Sequence, residues 1–248
     1  MLAGNGESTL YMYNALKDQF NIEKVIIEEP TNRKTFIKRR IKNLGLVKVI
    51  GQIFFMIYSK FLRIFSQKKI TKLKKRLDLI DKKIDTDVLI NVNSVNSKQT
   101  QSILQELNPD IVIVNGTRII SKKTLNSIDG IFINTHLGIT PKYRGVHGGY
   151  WALANNDLHN FGTTVHIVDT GIDTGDILQQ KMTTIEKTDN YLTYPLHQIK
   201  LGIEIMENVL NDYKNNKMKP YSNNLESAIW SHPDIITYFK NRVFHGVK

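Results

Sequence analysis

The sequence predicts an α/β fold, with a largely parallel, twisted sheet flanked by helices and interrupted by a basic helical insertion. From residue 86 onward, short apolar runs alternate with short helical segments, which is typical of parallel strands joined by covering helices. Near the N-terminus, the glycine-rich turn "GNG" (4–6) opens a helical segment and is followed by the apolar run "EKVIIEE" (23–29). Residues 35–83 break this order with 15 Lys or Arg and only 2 Asp or Glu.

The first element is the glycine-rich turn. Glycines let a backbone approach a ligand closely, and a helix N-terminus favours anions, so Gly4, Asn5 and Gly6 are candidate phosphate neighbours. A strand should precede such a turn, yet only Met1 to Ala3 do so. We therefore expect either a truncated start or a sheet that lacks one strand.

The insertion is apolar and basic at once. Within residues 44–65 most polar side chains fall on one helical stripe, and the rest is apolar. It carries too many charges for a convincing transmembrane span. Two alternatives stay open: a helical element packed on the core or on a second subunit of a homodimer, or a basic amphipathic element on an anionic membrane surface. Nucleic-acid binding is a third alternative.

The remaining elements follow in order. The predicted strands are 23–29, 86–92, 110–116, 130–136, 162–169 and 176–185. The predicted helices are 97–108, 121–128, 146–157 and 194–216. We assign residues 1–216 to one catalytic domain and 217–248 to an irregular C-terminal extension.

Composition limits the function classes. Outside residues 35–83 the chain is slightly acidic, so the high isoelectric point does not indicate nucleic-acid binding by the whole protein. There is no cysteine, which excludes disulfides and thiolate metal sites, and no HExxH-like spacing, so no metal is expected. No basic start leads into an apolar run, which predicts a cytoplasmic protein, at the inner face of the membrane if the insertion binds lipid.

Two stretches carry the candidate chemistry. "INTHLGITPKYRG" (133–145) places Asn134 and His136 two residues apart at the end of a strand, hence on one side of it. Ligands of open α/β sheets bind at that end. In "VDTGIDTGDIL" (168–178), Asp169 and Asp176 are typical of solvated turn carboxylates, whereas Asp173 could reach across to His136.

These stretches resemble the formyltransferase domain that uses N10-formyltetrahydrofolate. The shared pattern is Asn-x-His, a Pro-x-Tyr-x-Gly-like turn, and a loop ending in Asp-x-Gly, over about residues 110–217. The resemblance implies a Rossmann-like formyltransferase fold and direct transfer of a formyl group to a primary amine. It implies that Asn134 stabilises the oxyanion, that His136 adds a donor and moves protons, and that Asp173 orients the imidazole.

The resemblance also implies a folate site between the loops 116–120 and 168–173. The expected cofactor-binding residues are Arg118, Ile119, Ile120, Val168, Asp169 and Gly171. Arg118 serves the cofactor or pairs with an acid, and both alternatives stay open. His166, on an alternating strand, is equally a buried structural histidine or a functional one.

The acceptor is expected to be a nucleotide-linked amino sugar of a surface-polysaccharide pathway. The phrase "YRGVHGGYWAL" resembles stand-alone sugar N-formyltransferases, with Trp151 or Tyr150 stacking on the sugar or base. The expected substrate-binding residues are Gly4, Asn5, Gly6, Tyr143, His147, Tyr150 and Trp151. The alternatives are transfer to glycinamide ribonucleotide or methionyl-tRNA, or a non-catalytic, membrane-associated scaffold.

Overall fold

The computed structural model describes residues 1–248 and places a seven-stranded sheet at the centre of the protein. The strands are β1 Leu2–Gly4, β2 Val25–Glu28, β3 Leu89–Val92, β4 Ile111–Asn115, β5 Ile131–His136, β6 Arg144–Gly145, β7 Gly162–Ile167, β8 Ile177–Met182 and β9 Ile229–Trp230. The helices are α1 Glu7–Leu16, α2 Arg33–Leu44, α3 Leu46–Arg76, α4 Lys98–Leu107, α5 Lys122–Leu125, α6 Gly148–Ala154, α7 Tyr194–Lys214 and α8 Ile235–Phe244. The α/β prediction is confirmed.

The strand order in the sheet is β3-β2-β1-β4-β5-β7-β8, parallel as far as β5 and antiparallel at β7 and β8. The expectation of a missing strand was wrong, because Leu2–Gly4 forms β1 in the middle of the sheet. Leu2 pairs with Ile26 on one side and Val114 on the other and is fully buried. Three residues suffice because both neighbouring strands supply their hydrogen-bonding edges to this short segment.

Helices cover both faces of the sheet, as the packing of successive residues of β4 on opposite sides shows. Ile113 packs into a cluster with residues of α1 and α7, whereas Val112 and Val114 pack with Leu104 of α4 on the other side. Successive strand residues point to opposite faces, so both faces of a covered strand must be apolar. This packing fixes the carboxyl end of β5, where the candidate site lies.

The predicted insertion consists of α2 and the 31-residue helix α3. One side of α3 packs on the protein body through Phe55, Ile70 and Leu73. Gln52 lies on this side too, where its side-chain amide donates to the His232 carbonyl (2.6 Å). Many apolar residues of α3 are exposed instead.

The C-terminal extension is more regular than the sequence suggests. β9 pairs in parallel with β6, next to the "TPKYRG" turn, and α8 is capped at its N-terminus by Asp234, whose carboxylate accepts the Thr237 N–H (2.9 Å). Tyr238 of α8 is fully buried against Phe55. The prediction of an irregular tail was therefore wrong for β9 and α8, which form because tertiary partners are available to them.

Candidate functional site

Asn134 and His136 lie at the carboxyl end of β5. In the antiparallel pairing with β7, Asn134 is opposite His166 and His136 is opposite Thr164. On the other side, Val114 of β4 is opposite Asn134. Asn134 is therefore flanked by the two strands whose following loops, 116–120 and 168–173, were expected to hold a folate.

Asp173 reaches this end of the sheet from the loop between β7 and β8. Its Oδ2 lies 3.3 Å from His136 Nδ1 and accepts a hydrogen bond from the Gly145 N–H at 2.8 Å. The Asp173 backbone has a φ of 51°, in the left-handed region that Asp tolerates better than most residues. The structure thus brings together the three residues expected to be catalytic.

His166 joins the same network. Its Nδ1 donates to the Ile167 carbonyl (2.7 Å), which leaves Nε2 of the neutral ring to accept from the Asn134 side-chain amide (3.2 Å). The same Nε2 lies 3.4 Å from Asp173 Oδ1. Of its two proposed roles, the site location favours the functional one, because His166 orients the Asn134 amide.

Burial and neighbouring charges set the protonation states of His136 and Asp173. Burial lowers the pKa of His136, and the nearby Asp173 carboxylate opposes that shift only in part. Burial alone would raise the pKa of Asp173, but the positive charge that His136 carries when protonated and the hydrogen bond from the Gly145 N–H lower it to about 2. Near neutral pH the site therefore holds a carboxylate beside a neutral imidazole.

The two edges of the His136 ring differ in access. Nε2 donates to the Tyr143 carbonyl at 2.6 Å. A Cβ on Gly138 would lie only 2.7 Å from that same nitrogen, so backbone closes this edge. Nδ1, facing Asp173, is the edge at which a proton can be exchanged.

The expected folate residues differ in exposure. Ile119 is 49% exposed at the loop after β4, but Ile120 is 2% exposed and packs in the core below it. The prediction that both form an apolar wall was wrong for Ile120, because neighbouring residues in this loop point in opposite directions. Val168 already donates its N–H to Phe132 O (2.8 Å).

The loop before Asp173 is braced by its own side chains. Asp169 Oδ1 accepts from the Gly171 N–H (2.9 Å) and from the Thr174 hydroxyl (2.7 Å). A Cβ on Gly171 would lie 1.9 Å from the Thr174 hydroxyl oxygen. Asp169 and Gly171 therefore shape the turn that carries Asp173, and their expected contact with a folate remains a prediction.

Arg118 pairs with an acid, one of its two alternatives. Its Nε and backbone N–H both donate to the buried Glu28 carboxylate, each at 2.6 Å, and Nη2 donates to the Glu29 carbonyl at 3.0 Å. These contacts fasten the loop after β4 to the end of β2. These contacts explain the position of the guanidinium without a bound ligand.

We expect Arg118→Ala to destabilise the protein by about 2–3 kcal/mol, because it leaves the Glu28 carboxylate buried without its cation. In thermal unfolding this corresponds to a melting temperature lower by roughly 5–10 °C. Glu28→Gln added to Arg118→Ala should recover part of the loss. A normal melting temperature combined with a raised KM for the formyl donor would contradict this structural role.

The expected substrate residues divide into two groups. Asn5 and Gly6 are exposed at the end of β1, beside Gly4, and Gly6 caps α1. A Cβ on Gly4 would lie 2.4 Å from the Gly116 carbonyl oxygen, so glycine is needed for the close approach of β1 and β4. The turn is exposed, and its contact with a substrate remains a prediction.

The aromatic residues are less accessible than expected. Tyr143 and Tyr150 are each only 1% exposed; their hydroxyls bond Asp157 (2.8 Å) and Asn241 (2.9 Å) respectively. The prediction that their side chains contact substrate was wrong, because both fill a cluster of aromatic residues. Trp151 is half-buried and stacks on Trp230, with ring centroids 4.7 Å apart.

His147, also expected to contact substrate, pairs instead with a residue of the tail. Its Nε2 lies 2.8 Å from His232 Nδ1, and burial lowers the pKa of His147 to about 3 and that of His232 to about 4. His232 and Trp230 were not predicted as site residues, because they reach this region only through the pairing of β9 with β6. No spacing pattern in the sequence marks them.

The formyl transferase family model matches residues 59–210, which is more than half of the chain. The methionyl-tRNA formyltransferase of Caldanaerobacter subterraneus is 31% identical over 137 residues, covering 55% of this chain and 44% of that protein. That of Finegoldia magna is 31% identical over 129 residues, covering 51% and 41%. The chain thus spans less than half the length of these relatives.

Solved structures agree on the fold. A sugar N-formyltransferase from Shewanella superposes with a TM-score of 0.58 at 14% identity, covering 92% of this chain and 74% of that one. A Helicobacter canadensis N-formyltransferase, solved with folinic acid and dTDP-3-aminofucose, gives 0.56 at 18% identity, covering 93% and 69%. A Bacillus halodurans phosphoribosylglycinamide formyltransferase gives 0.52 at 16% identity, covering 88% and 99%. With the family model matching most of the sheet and the Asn134, His136 and Asp173 site, the chain belongs to the formyl transferase family.

Proposed function

We propose that the protein transfers a formyl group from N10-formyltetrahydrofolate to the amine of a nucleotide-linked amino sugar. The observation that carries this proposal is the convergence of Asn134, His136 and Asp173 at the end of β5, with Asp173 Oδ2 3.3 Å from His136 Nδ1. An amide donor, a neutral imidazole and a carboxylate suit the attack of an amine on a formyl carbonyl, where negative charge develops on oxygen.

Asn134 supplies the donor. One of its two amide hydrogens is directed to His166 Nε2, which fixes the rotation of the side chain. The other hydrogen is left for the carbonyl oxygen of the formyl group. A donor held in place before the reaction stabilises a developing oxyanion without reorganisation.

His136 and Asp173 handle the proton. The imidazole takes a proton from the attacking amine at Nδ1, and the resulting cation faces the Asp173 carboxylate. It returns this proton to the leaving nitrogen of the formyl donor as the C–N bond of that donor breaks, so that the donor departs as neutral tetrahydrofolate. The carboxylate stays ionised because its pKa lies near 2, and the Gly145 N–H holds it in position. Burial keeps the imidazole neutral before the reaction, so it is ready to act as a base.

The residues around this site fit a folate. The loops 116–120 and 168–173 leave β4 and β7, the two neighbours of β5, so a group bound between them lies next to Asn134. Ile119 offers an exposed apolar side chain there, and a Cβ on Gly116 would meet no atom within 4 Å, which indicates open space at the start of the loop. N10-formyltetrahydrofolate supplies the formyl group when it is bound.

An amino sugar is the acceptor we favour. Proteins of the same fold include a 4-N formyltransferase from Francisella tularensis and an enzyme solved with dTDP-3-aminofucose, and each aligns with 93% of this chain. The exposed "GNG" turn and the half-buried Trp151 supply a phosphate-compatible backbone and an aromatic face.

Transfer to methionyl-tRNA is the second candidate, because the two relatives with 31% identity are named methionyl-tRNA formyltransferases. It requires a basic surface near the site. Outside residues 35–83 the chain is slightly acidic, so the basic residues of α2 and α3 would have to provide the tRNA contacts.

The two candidates are separated by a tetrahydrofolate-release assay. The protein is supplied with N10-formyltetrahydrofolate and, in turn, with nucleotide-linked 3-amino and 4-amino deoxysugars, glycinamide ribonucleotide and methionyl-tRNA. We expect turnover with one amino sugar and none with an Asn134→Ala, His136→Ala variant. Turnover with methionyl-tRNA alone would identify methionyl-tRNA, not an amino sugar, as the acceptor. Turnover that survives the double substitution would contradict the assigned site.

A further inference from the structure

The outward side of α3 is an exposed apolar stripe that no part of the chain covers. Ile50, Phe54, Ile57, Phe61 and Ile64 follow one another at spacings of four and three residues, so they lie on one side of the helix. All five are exposed, with Phe54 and Phe61 each at 58%. A stripe of this length far exceeds the scattered apolar residues of an ordinary surface.

The same stripe turns basic in its last three turns. Beyond Ile64 the stripe continues with Lys68, Lys72 and Lys75, at intervals of four, four and three residues. All three lysines are exposed. They form no ion pair with any acidic side chain. The stripe therefore combines an apolar half with a free cationic half.

The remaining cations of the second half of α3 face the body and are neutralised there. These pairs are Arg63 with Glu7, Lys69 with Asp189, Lys74 with Glu7, and Arg76 with Glu186. The protein thus supplies acidic partners on one side of the helix and none on the other. From Arg33 to Arg76 the sequence contains no Asp or Glu at all.

Helix α8 extends the apolar surface. It packs beside α3 through Tyr238 and Phe239, whose rings lie 5.4 and 5.2 Å from that of Tyr58. Its own outer residues Ile236 and Val243 are 74% and 75% exposed. The two neighbouring helices α3 and α8 therefore form one surface of exposed apolar side chains.

We propose that α3 and α8 dock on the surface of an anionic lipid bilayer, with the apolar stripe at the acyl boundary and Lys68, Lys72 and Lys75 among the headgroups. An amphipathic helix with Phe and Ile on one part and free lysines on the other binds in this way. The cytoplasmic leaflet carries the negative charge that such lysines recognise. A second copy of the chain is a poor occupant, because a two-fold interface would bring this acid-free surface against itself.

The helix lies on the bilayer rather than across it. By length and composition alone α3 could cross a membrane. One side of it, however, is tied to the body along its length: Gln52 donates to the His232 carbonyl (2.6 Å), and the Asn190 amide donates to the Ser66 hydroxyl (2.9 Å). Spanning would break these contacts and the four ion pairs.

The test is co-sedimentation of the full chain with phosphatidylcholine vesicles, with and without phosphatidylglycerol, at low and at high salt. We expect binding to the phosphatidylglycerol vesicles that weakens with salt, and little binding to phosphatidylcholine alone. The variant Lys68→Gln, Lys72→Gln, Lys75→Gln should bind about 100-fold more weakly, at roughly fivefold for each lysine. Phe54→Ser with Phe61→Ser should also reduce binding, by more than about tenfold.

The matched control is Lys98→Gln, Lys122→Gln, Lys123→Gln, which removes the same charge from exposed positions of α4 and α5. It should bind vesicles like the unsubstituted protein, and thermal unfolding should show all variants folded. Equal loss in the control would overturn the proposal, as would no vesicle binding by the unsubstituted protein. A dimer in sedimentation velocity that Phe54→Ser, Phe61→Ser dissociates would assign the stripe to a second copy. Loss of tRNA binding by the triple-lysine variant, without vesicle binding, would assign it to RNA.

Discussion

Asn134→Ala is expected to lower kcat for formyl transfer by about 10²–10³, with little change in KM for the formyl donor. The reason is geometric, because the hydrogen bond to His166 Nε2 holds the Asn134 amide in one orientation. The second amide hydrogen is thereby positioned for an oxyanion that exists only during the reaction. Alanine removes the donor and leaves the neighbouring backbone of β5 unchanged. Steady-state kinetics on the acceptor identified by tetrahydrofolate release would measure the effect.

Two further substitutions sharpen this experiment. Asn134→Asp keeps the shape but places an ionised acceptor where a donor is required, and we expect a loss at least as large as for alanine. Asn211→Ala changes an exposed asparagine of α7 and should leave kcat unchanged. A loss below about tenfold in Asn134→Ala would mean that another group stabilises the oxyanion.

The convergence of Asn134, His136 and Asp173 could be predicted from the sequence because the signals that mark these residues are local. The Asn-x-His spacing needs only the two-residue period of a strand to place both side chains on one side. Asp173 followed from the order of the motif along the chain. The contact of His166 with Asn134 depends on which residues face each other across β5 and β7, and this register is invisible in either strand alone.

Burial was harder to predict than location. Tyr143 and Tyr150 sit in a motif that suggested ligand contact, yet both are buried in an aromatic cluster completed by Tyr238 from the far end of the chain. Ile119 and Ile120 are adjacent and chemically identical, but one is exposed and the other lies in the core. Such differences are set by tertiary packing, which no local pattern contains.

The short central strand shows a related limit. Leu2–Gly4 is too brief to give a periodic signal, and it becomes a strand because β2 and β4 both hydrogen-bond to it. Helix α3 shows the opposite case: its apolar and basic character was plain, but the sequence left open which side faces the body. The structure settles this through the buried positions of Phe55, Ile70 and Leu73.

Asp173→Asn is expected to lower the plateau of kcat/KM by about 10²–10⁴ and to move its acid limb to lower pH. The free protein should show an acid limb with an apparent pKa below the ordinary 6.5 of histidine, because burial lowers the pKa of His136. Asp173 partly offsets that shift by stabilising the imidazolium. Removing its charge takes the offset away, so the His136 pKa falls further and the imidazole becomes a weaker base.

The substitution suits this experiment because Asn tolerates the left-handed backbone of residue 173 and can still accept the Gly145 N–H. Asp176→Asn provides the matched control: it removes one exposed carboxylate from the same loop, and its pH profile should coincide with that of the unsubstituted protein. An acid limb that moves to higher pH in Asp173→Asn would show that His136 is not the titrating base. An unchanged limb with a lower plateau would reduce Asp173 to a residue that positions the loop and leave the proton transfer to His136 and His166.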